Sequence, residues 1–217
     1  RPRHLGEVVG QTHLLSPGAA LRVAIETGTI GSMIFFGPPG TGKTTVARLV
    51  AAETGAAYEE LSAVSSGVAE VRRVIDRSRD RRAQTGKRTV LFIDEVHRFS
   101  KAQQDALLHA VEDGIITLIG ASTENPYFEV IPALISRCEL YQFLPLEKSD
   151  IRTLLDRALA AGRVTLAVPR AALDLIAEGA LGDARRAFGL LERSLVLARS
   201  KGLPSLDEAT VEEAAQR

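Results

Sequence analysis

Residues 37–44 read Gly-Pro-Pro-Gly-Thr-Gly-Lys-Thr, and no other segment constrains this 217-residue chain as tightly. The octapeptide follows the apolar run Met33-Ile34-Phe35-Phe36 and opens into VARLVAAETG, a helical pattern. Strand, glycine-rich loop and helix in that order form a phosphate cradle. Gly37, Gly40 and Gly42 permit the tight turn that aims main-chain N–H groups at an anion. The helix N-terminus adds a positive partial charge. Lys43 is placed to reach β- and γ-phosphates, and the Thr44 hydroxyl to bind Mg²⁺. Pro38, Pro39, Thr41 and Thr45 complete the candidate ATP-binding positions of the loop.

A second segment adds chemistry to binding. Arg88–Glu95 reads RTVLFIDE, and its short continuous apolar stretch is typical of a buried parallel strand. Asp94-Glu95 closes that strand at its C-terminal end, where open α/β sheets place ligands. Asp94 is suited to hold Mg²⁺ through water, and Glu95 to orient and polarise the attacking water. Together the two segments point to ATP hydrolysis.

The remaining strands and helices alternate. Strands are expected at 32–36, 57–61, 89–94, 115–121 and 139–143, and helices at 18–28, 43–54, 67–84 and 101–113, the pattern of an α/β fold with a parallel sheet covered on both faces. After Pro145 only helical patterns remain, at 149–161, 169–178, 183–200 and 206–216. Ser149 is expected to cap the first of these, and Ser205-x-x-Glu208 to form a capping box for the last. The division is therefore a P-loop core over 1–144 and a small all-helical lid over 145–217.

Charge and cysteine content narrow the setting. Lys+Arg and Asp+Glu both number 27, so no global imbalance announces nucleic acid. Locally, Arg72, Arg73, Arg77, Arg79, Arg81, Arg82, Lys87 and Arg88 crowd one helix and its exit, against Glu70, Asp76 and Asp80. That stretch is either a phosphate-contacting face or an ordinary solvated one. Cys138 is the single cysteine, which excludes an intrachain disulfide and favours a reducing compartment. No apolar run approaches the ~20 residues of a membrane span, so no membrane partner is expected. The chain opens at Arg1 without Met, as a piece of a longer protein does.

Taken together, these motifs resemble the AAA+ ATPases. VVGQ at 8–11 is similar to the element that passes the adenine, which assigns Val9 and Gly10 to nucleotide contact. IGAST at 119–123 resembles the sensor-1 strand, with Thr123 or its neighbour Asn125 at the polar position. ISRC at 135–138 resembles the SRC motif of clamp loaders, where Arg137 would be the finger that reaches a neighbour's γ-phosphate. GDARRAFGLLE at 182–192 resembles the sensor-2 helix, with Arg185 or the adjacent Arg186 facing the nucleotide. The resemblance places ATP between core and lid.

DEVHRFSKAQQDALL at 94–108 and GASTENPYFEV at 120–130 resemble more narrowly the replication-associated recombination protein A family, whose eukaryotic members are the Werner-helicase-interacting proteins. That resemblance implies a DNA-dependent ATPase at stalled replication forks and in recombination. It also implies single-stranded or forked DNA, single-stranded-DNA-binding protein and other replisome proteins as partners. A cytoplasmic, nucleoid-associated location and a homo-oligomer in the full-length form follow from it. Family members continue into a C-terminal oligomerisation region, so a chain ending at Arg217 is expected to assemble poorly. Ser62 stands where many AAA+ proteins have an Asn that restrains the catalytic Glu. A clamp-loader subunit shares the SRC and DEVH elements but fits the HRF and ENP-x-F residues less well. A branch-migration motor would need a hairpin insertion where Glu112-Asp113-Gly114 runs into Ile115. A protein unfoldase would need an aromatic pore loop that residues 61–71 lack. A nucleotide-dependent scaffold with little turnover is the reading from another class.

Overall fold

A computed structural model describes residues 2–63, 66–162 and 164–216. Its centre is a five-stranded sheet of β1 (Met33–Phe36), β2 (Ala57–Ser62), β3 (Thr89–Asp94), β4 (Thr117–Ser122) and β5 (Glu139–Gln142). The spatial order is β2-β3-β4-β1-β5 and every pairing is parallel. The inner strands β1 and β3 read as apolar runs because both faces of the sheet are covered there, whereas the edge strands β2 and β5 carry Glu59, Glu60, Glu139 and Gln142.

Seven α-helices among the described residues belong to this part: α1 (Thr12–Leu15), α2 (Ala20–Glu26), α3 (Lys43–Glu53), α4 (Val68–Thr85), α5 (Lys101–Glu112), α6 (Pro126–Glu129) and α7 (Pro132–Ile135). On one face Leu21 and Ile25 of α2 and Val46 and Val50 of α3 pack with Phe35, Phe92, Ile119 and Phe143. On the other, Val71 and Val74 of α4 and Leu107 of α5 pack with Ile34, Leu91, Ile93 and Leu118. Each such side chain contributes about 1.5–3 kcal/mol on leaving water. Register aligns the strand ends: Phe36 lies opposite Ser122, and Ser62 opposite Asp94. The residues that follow β1, β3 and β4 therefore emerge along one edge of the sheet. The chain passes from α5 to β4 through Asp113–Ile116 alone, with no inserted hairpin.

The chain clusters into two compact units, Arg1–Gly37 with Gly42–Phe143, and Pro38–Thr41 with Leu144–Arg217. The second holds α8 (Lys148–Ala161), α9 (Arg170–Gly179), α10 (Ala184–Ser200) and α11 (Glu208–Ala215). Ile151, Leu155, Leu173, Ile176, Leu190, Leu191, Leu195 and Val211 form its core. Within this unit the Ala184 N–H donates to the Gly40 carbonyl at 3.1 Å. A Cβ on Gly40, which has φ +68°, would lie 1.7 Å from Asp183 Oδ1, so glycine is required there twice over. No helix among the described residues is long and apolar enough to cross a membrane.

The expected α/β core and the helices after it are both present, while two expected caps are not. Helix α8 is capped by Glu147 with Asp150 in a reciprocal box, and Ser149 already sits inside the first turn. Helix α11 is capped by Asp207, whose Oδ1 accepts the Thr210 N–H at 2.8 Å. Ser205 lies outside the helix, bridged through its backbone to Ala167, and Glu208 is the first helical residue, so the Ser205–Glu208 box does not form. Strand β4 begins two residues later than its apolar pattern, because the Ile115 and Ile116 N–H groups turn back to the Ala110 carbonyl. The four-residue helices α1, α6 and α7 and the 3-10 turns Leu5–Glu7 and Val96–Arg98 are too short to show a period in the sequence.

Inside α10, Ser194 is fully buried and its hydroxyl has no hydrogen-bond partner among the described residues. A buried unpaired hydroxyl costs about 1–3 kcal/mol. Ser194→Ala is expected to raise the thermal midpoint by a few degrees, about 2–4 °C per kcal/mol in a chain of this size. Calorimetry checks it, and a lowered midpoint contradicts the assignment of Ser194 as a liability.

Candidate active site

The loop after β1 has the backbone of an anion cradle. Gly37, Gly40 and Gly42 have φ of 135°, 68° and 102°. A Cβ on Gly37 would fall 2.1 Å from the Phe143 carbonyl oxygen, and the Gly37 N–H donates to the Ser122 carbonyl at 3.1 Å. The first glycine is thus wedged between the ends of β4 and β5. Thr41 Oγ1 donates to the Pro38 carbonyl at 2.9 Å. Lys43, buried although charged, donates from Nζ to the Gly37 carbonyl at 2.7 Å, which curls its ammonium back under the loop. Helix α3 starts after Gly42 with no side chain capping its first turn. These N–H groups and the ammonium suit a polyphosphate, so the residues fit a nucleotide. Thr44 and Thr45 are half-buried in the first turn of α3, and Pro38 and Pro39 are exposed. Val9 and Gly10 lie half-buried before α1, with Gly10 at φ 75° and Gln11 in the left-handed region at φ 53°.

Asp94 ends β3, half-buried, opposite Ser62. No group of three or more His, Cys, Asp or Glu side chains gathers for a metal among the described residues. A Mg²⁺ held by Asp94 and Thr44 would complete its shell from phosphate and water, as this ion ordinarily does. Glu95 follows in the left-handed region at φ 57°, a conformation that concentrates at functional positions. Its Oε2 accepts from Arg98 Nε at 2.8 Å, and His97 Nε2 stands 3.7 Å from the same oxygen. His97 Nδ1 lies 3.0 Å from Ser122 Oγ. That hydroxyl already donates to the Glu124 carbonyl at 2.8 Å and accepts the Glu124 N–H at 3.0 Å. With that proton directed to Glu124, the contact between Ser122 and His97 has Nδ1 as its donor. Sequence reasoning missed both Arg98 and His97; their i+2 and i+3 spacing from Glu95 was the available signal.

The other expected positions are more dispersed. Thr123 falls one residue beyond β4 and is exposed. Asn125 is engaged in capping α6, accepting the Tyr127 N–H at 3.1 Å. Arg137 is exposed but held within its own unit: it pairs with Glu112 at the end of α5 and donates to the Ala133 carbonyl at 2.8 Å. Arg185 and Arg186 are exposed in the first turn of α10, where Asp183 Oδ1 accepts both of their main-chain N–H groups. In the arginine-rich helix α4, Arg77 and Arg81 both pair with Glu59 of β2 and Arg79 with Asp76. Arg82 donates to the Gly114 carbonyl. Half of the eight basic residues of that stretch are thus engaged inside the unit. Arg72 and Arg73 on α4, and Lys87 and Arg88 beyond it, make no ion pair among the described residues.

A parallel sheet ordered 5-1-4-3-2, with a glycine-rich loop after β1 and an Asp-Glu pair at the end of β3, defines a P-loop ATPase. The family model described as "ATPase family associated with various cellular activities (AAA)" matches residues 33–146, and the chain belongs to that family. It is 49% identical over 197 residues to replication-associated recombination protein A of Escherichia coli K12, covering 88% of this chain and 44% of that protein. It is 43% identical over 199 residues to ATPase WRNIP1 of Dictyostelium discoideum, covering 90% of this chain and 23% of that one. The chain thus spans less than half the length of these relatives. Among solved structures, the Thermotoga maritima RuvB Holliday junction branch migration motor matches with a TM-score of 0.81 at 26% identity, over 100% of this chain and 72% of that one. The narrower resemblance read from residues 94–108 and 120–130 therefore extends over 88–90% of the chain.

Cys138 beside Arg137 is enclosed by apolar neighbours, and burial pushes its thiol up to about 12. Burial disfavours the thiolate, the reactive form, so little of it exists at neutral pH. Ellman's reagent at pH 7.5 is expected to leave the native chain largely unlabelled and to titrate one thiol in denaturant. Fast native labelling would contradict this environment.

Proposed function

We propose that this chain is the ATP-hydrolysing part of a DNA-dependent, replication-associated recombination factor acting at stalled forks. The observation that carries it is the alignment of the Lys43 loop and the Asp94–Glu95 pair along one edge of a parallel sheet. The similarity to replication-associated recombination protein A supports the setting. Single-stranded or forked DNA, single-stranded-DNA-binding protein and other replisome proteins are its proposed partners. The proposed location is cytoplasmic, at the nucleoid.

In this reading Lys43 and the loop amides hold the β- and γ-phosphates, and Thr44 and Asp94 hold Mg²⁺. The bound ion supplies charge neutralisation at the phosphates. Glu95 orients water and accepts its proton. Val9 and Gly10 contact the base. Thr123 senses the γ-phosphate, and Arg185 of the helical unit adds positive charge. Arg137 serves the neighbouring subunit's nucleotide. A finger supplied in trans can be worth ~10³–10⁵ in rate, so turnover depends on assembly.

Lys43→Ala is expected to lose nucleotide affinity, whereas Glu95→Gln keeps affinity and loses turnover. Titration with a fluorescent ATP analogue beside a phosphate-release assay separates the two. Equal affinity loss in both variants would sink the division of roles.

Arg137→Ala should be inactive alone and regain activity when mixed with Glu95→Gln, because each supplies what the other lacks. The rate per subunit of the unmodified chain should also rise with protein concentration. Full activity of Arg137→Ala in an assembled state places the finger elsewhere. A rate independent of concentration in a monomer refutes the dependence on neighbours.

A further inference from the structure

Helix α10 spends its N-terminus on the loop and on its own cap. The first four N–H groups of a helix find no partner within it. Here the Ala184 N–H donates to the Gly40 carbonyl at 3.1 Å, and that of Ala187 to the Asp183 carbonyl at 3.0 Å. Those of Arg185 and Arg186 donate to Asp183 Oδ1 at 2.8 and 3.2 Å. Every first-turn amide is thus engaged, so this helix end does not serve as an anion site of its own.

The first of these amides orients a peptide. In a trans peptide the C=O of one residue and the N–H of the next point in opposite directions. No peptide bond among the described residues is cis. Drawing the Gly40 carbonyl to Ala184 therefore aims the Thr41 N–H directly away from α10. Asp183 sets how closely the two segments meet. A Cβ on Gly40 would fall 1.7 Å from Asp183 Oδ1, so the carboxylate occupies the space of a side chain and rests against the Gly40 main chain.

The turn that carries Asp183 is anchored on its other side as well. The Asp183 N–H donates to the Ala180 carbonyl, and the Leu146 N–H to the Gly182 carbonyl, both at 3.1 Å. A Cβ on Gly182 would lie 2.6 Å from that of Pro145. Leu181 is 74% exposed and held in the left-handed region at φ 52°. A side chain stays in that region only where its surroundings impose it, and such positions gather at functional sites.

We propose that Asp183 is a positioning residue for nucleotide binding: by capping α10 and filling the space beside Gly40, it fixes the Gly40–Thr41 peptide with the Thr41 N–H directed at the phosphates. The inference rests on the loop as the phosphate cradle, as proposed above. Asp183 acts through the main chain of the loop and needs no contact with the nucleotide.

The test titrates the whole chain with a fluorescent ATP analogue well below its thermal midpoint, and measures that midpoint separately without nucleotide. Asp183→Ala should weaken binding about five- to tenfold, the scale of a lost cap. Asp183→Asn and Asp183→Ser retain an acceptor and should stay within about twofold of the parent. Asp207→Ala is the control for a merely structural role, because it removes a cap of the same kind from α11 of the same unit. It should lower the midpoint about as much as Asp183→Ala and leave the affinity unchanged. Gly40→Ala should weaken binding by a smaller factor in the Asp183→Ala background than in the parent, since the carboxylate it would strike is gone.

Unchanged affinity in Asp183→Ala, with affinity lost in Lys43→Ala, overturns the positioning role and leaves the cradle standing. Full affinity in Lys43→Ala overturns the cradle and this inference with it. An equal loss of affinity in Asp207→Ala reduces Asp183 to a stabilising cap and overturns the proposal. Strictly multiplicative effects of Gly40→Ala and Asp183→Ala do the same, because they deny the contact between the two residues.

Discussion

The backbone meeting point at Gly37 is what the rest of the site depends on. Its N–H is tied to the end of β4, the Phe143 carbonyl occupies the space a side chain would need, and the Phe143 N–H returns to the Phe36 carbonyl at 2.7 Å. Three strand ends are thus locked around one residue without a Cβ. Any larger residue would have to push a main-chain carbonyl out of the sheet, which a core of Phe35, Phe92 and Phe143 packed against α2 and α3 resists. Gly37 thereby fixes where the chain leaves β1, at the same end of the parallel sheet as Asp94.

Much of this was legible in the chain itself. The continuous apolar strands announce a sheet covered on both faces, and the loop's glycines turn up in the left-handed conformations their spacing suggests. What escaped were features decided by neighbours. Asp207 and not Ser205 is the cap because α11 starts at Glu208, while the Ser205 backbone is drawn into a bridge with Ala167, nearly forty residues away in the chain. The arginines of α4 look like a basic face in one dimension, yet Glu59 on a distant strand takes two of them. Likewise Arg98 reads as one more surface cation until the left-handed turn at Glu95 folds its guanidinium onto the carboxylate. Periodicity reports which face is apolar, and is silent on which opposite charge arrives there.

The same economy links the polar groups behind the sheet edge. Ser122 joins the Gly37 N–H through its carbonyl and His97 through its hydroxyl, and His97 in turn faces Glu95. A displacement at the loop's first glycine therefore has a covalent and hydrogen-bonded route to the turn that carries the acidic pair. The route is short because β1 and β4 are adjacent strands in the sheet.

If Arg137 serves a neighbouring subunit's nucleotide, as proposed above, its pairing with Glu112 has a consequence for that engagement. An arginine that already has a counter-ion at home meets a neighbour's phosphate by exchange, not by simple addition. Engagement then becomes a competition with a built-in set point: the local carboxylate defines how much negative charge a neighbour must present before the arginine changes sides. A chain of this design would ignore an adjacent subunit holding little negative charge and respond to one that is fully loaded.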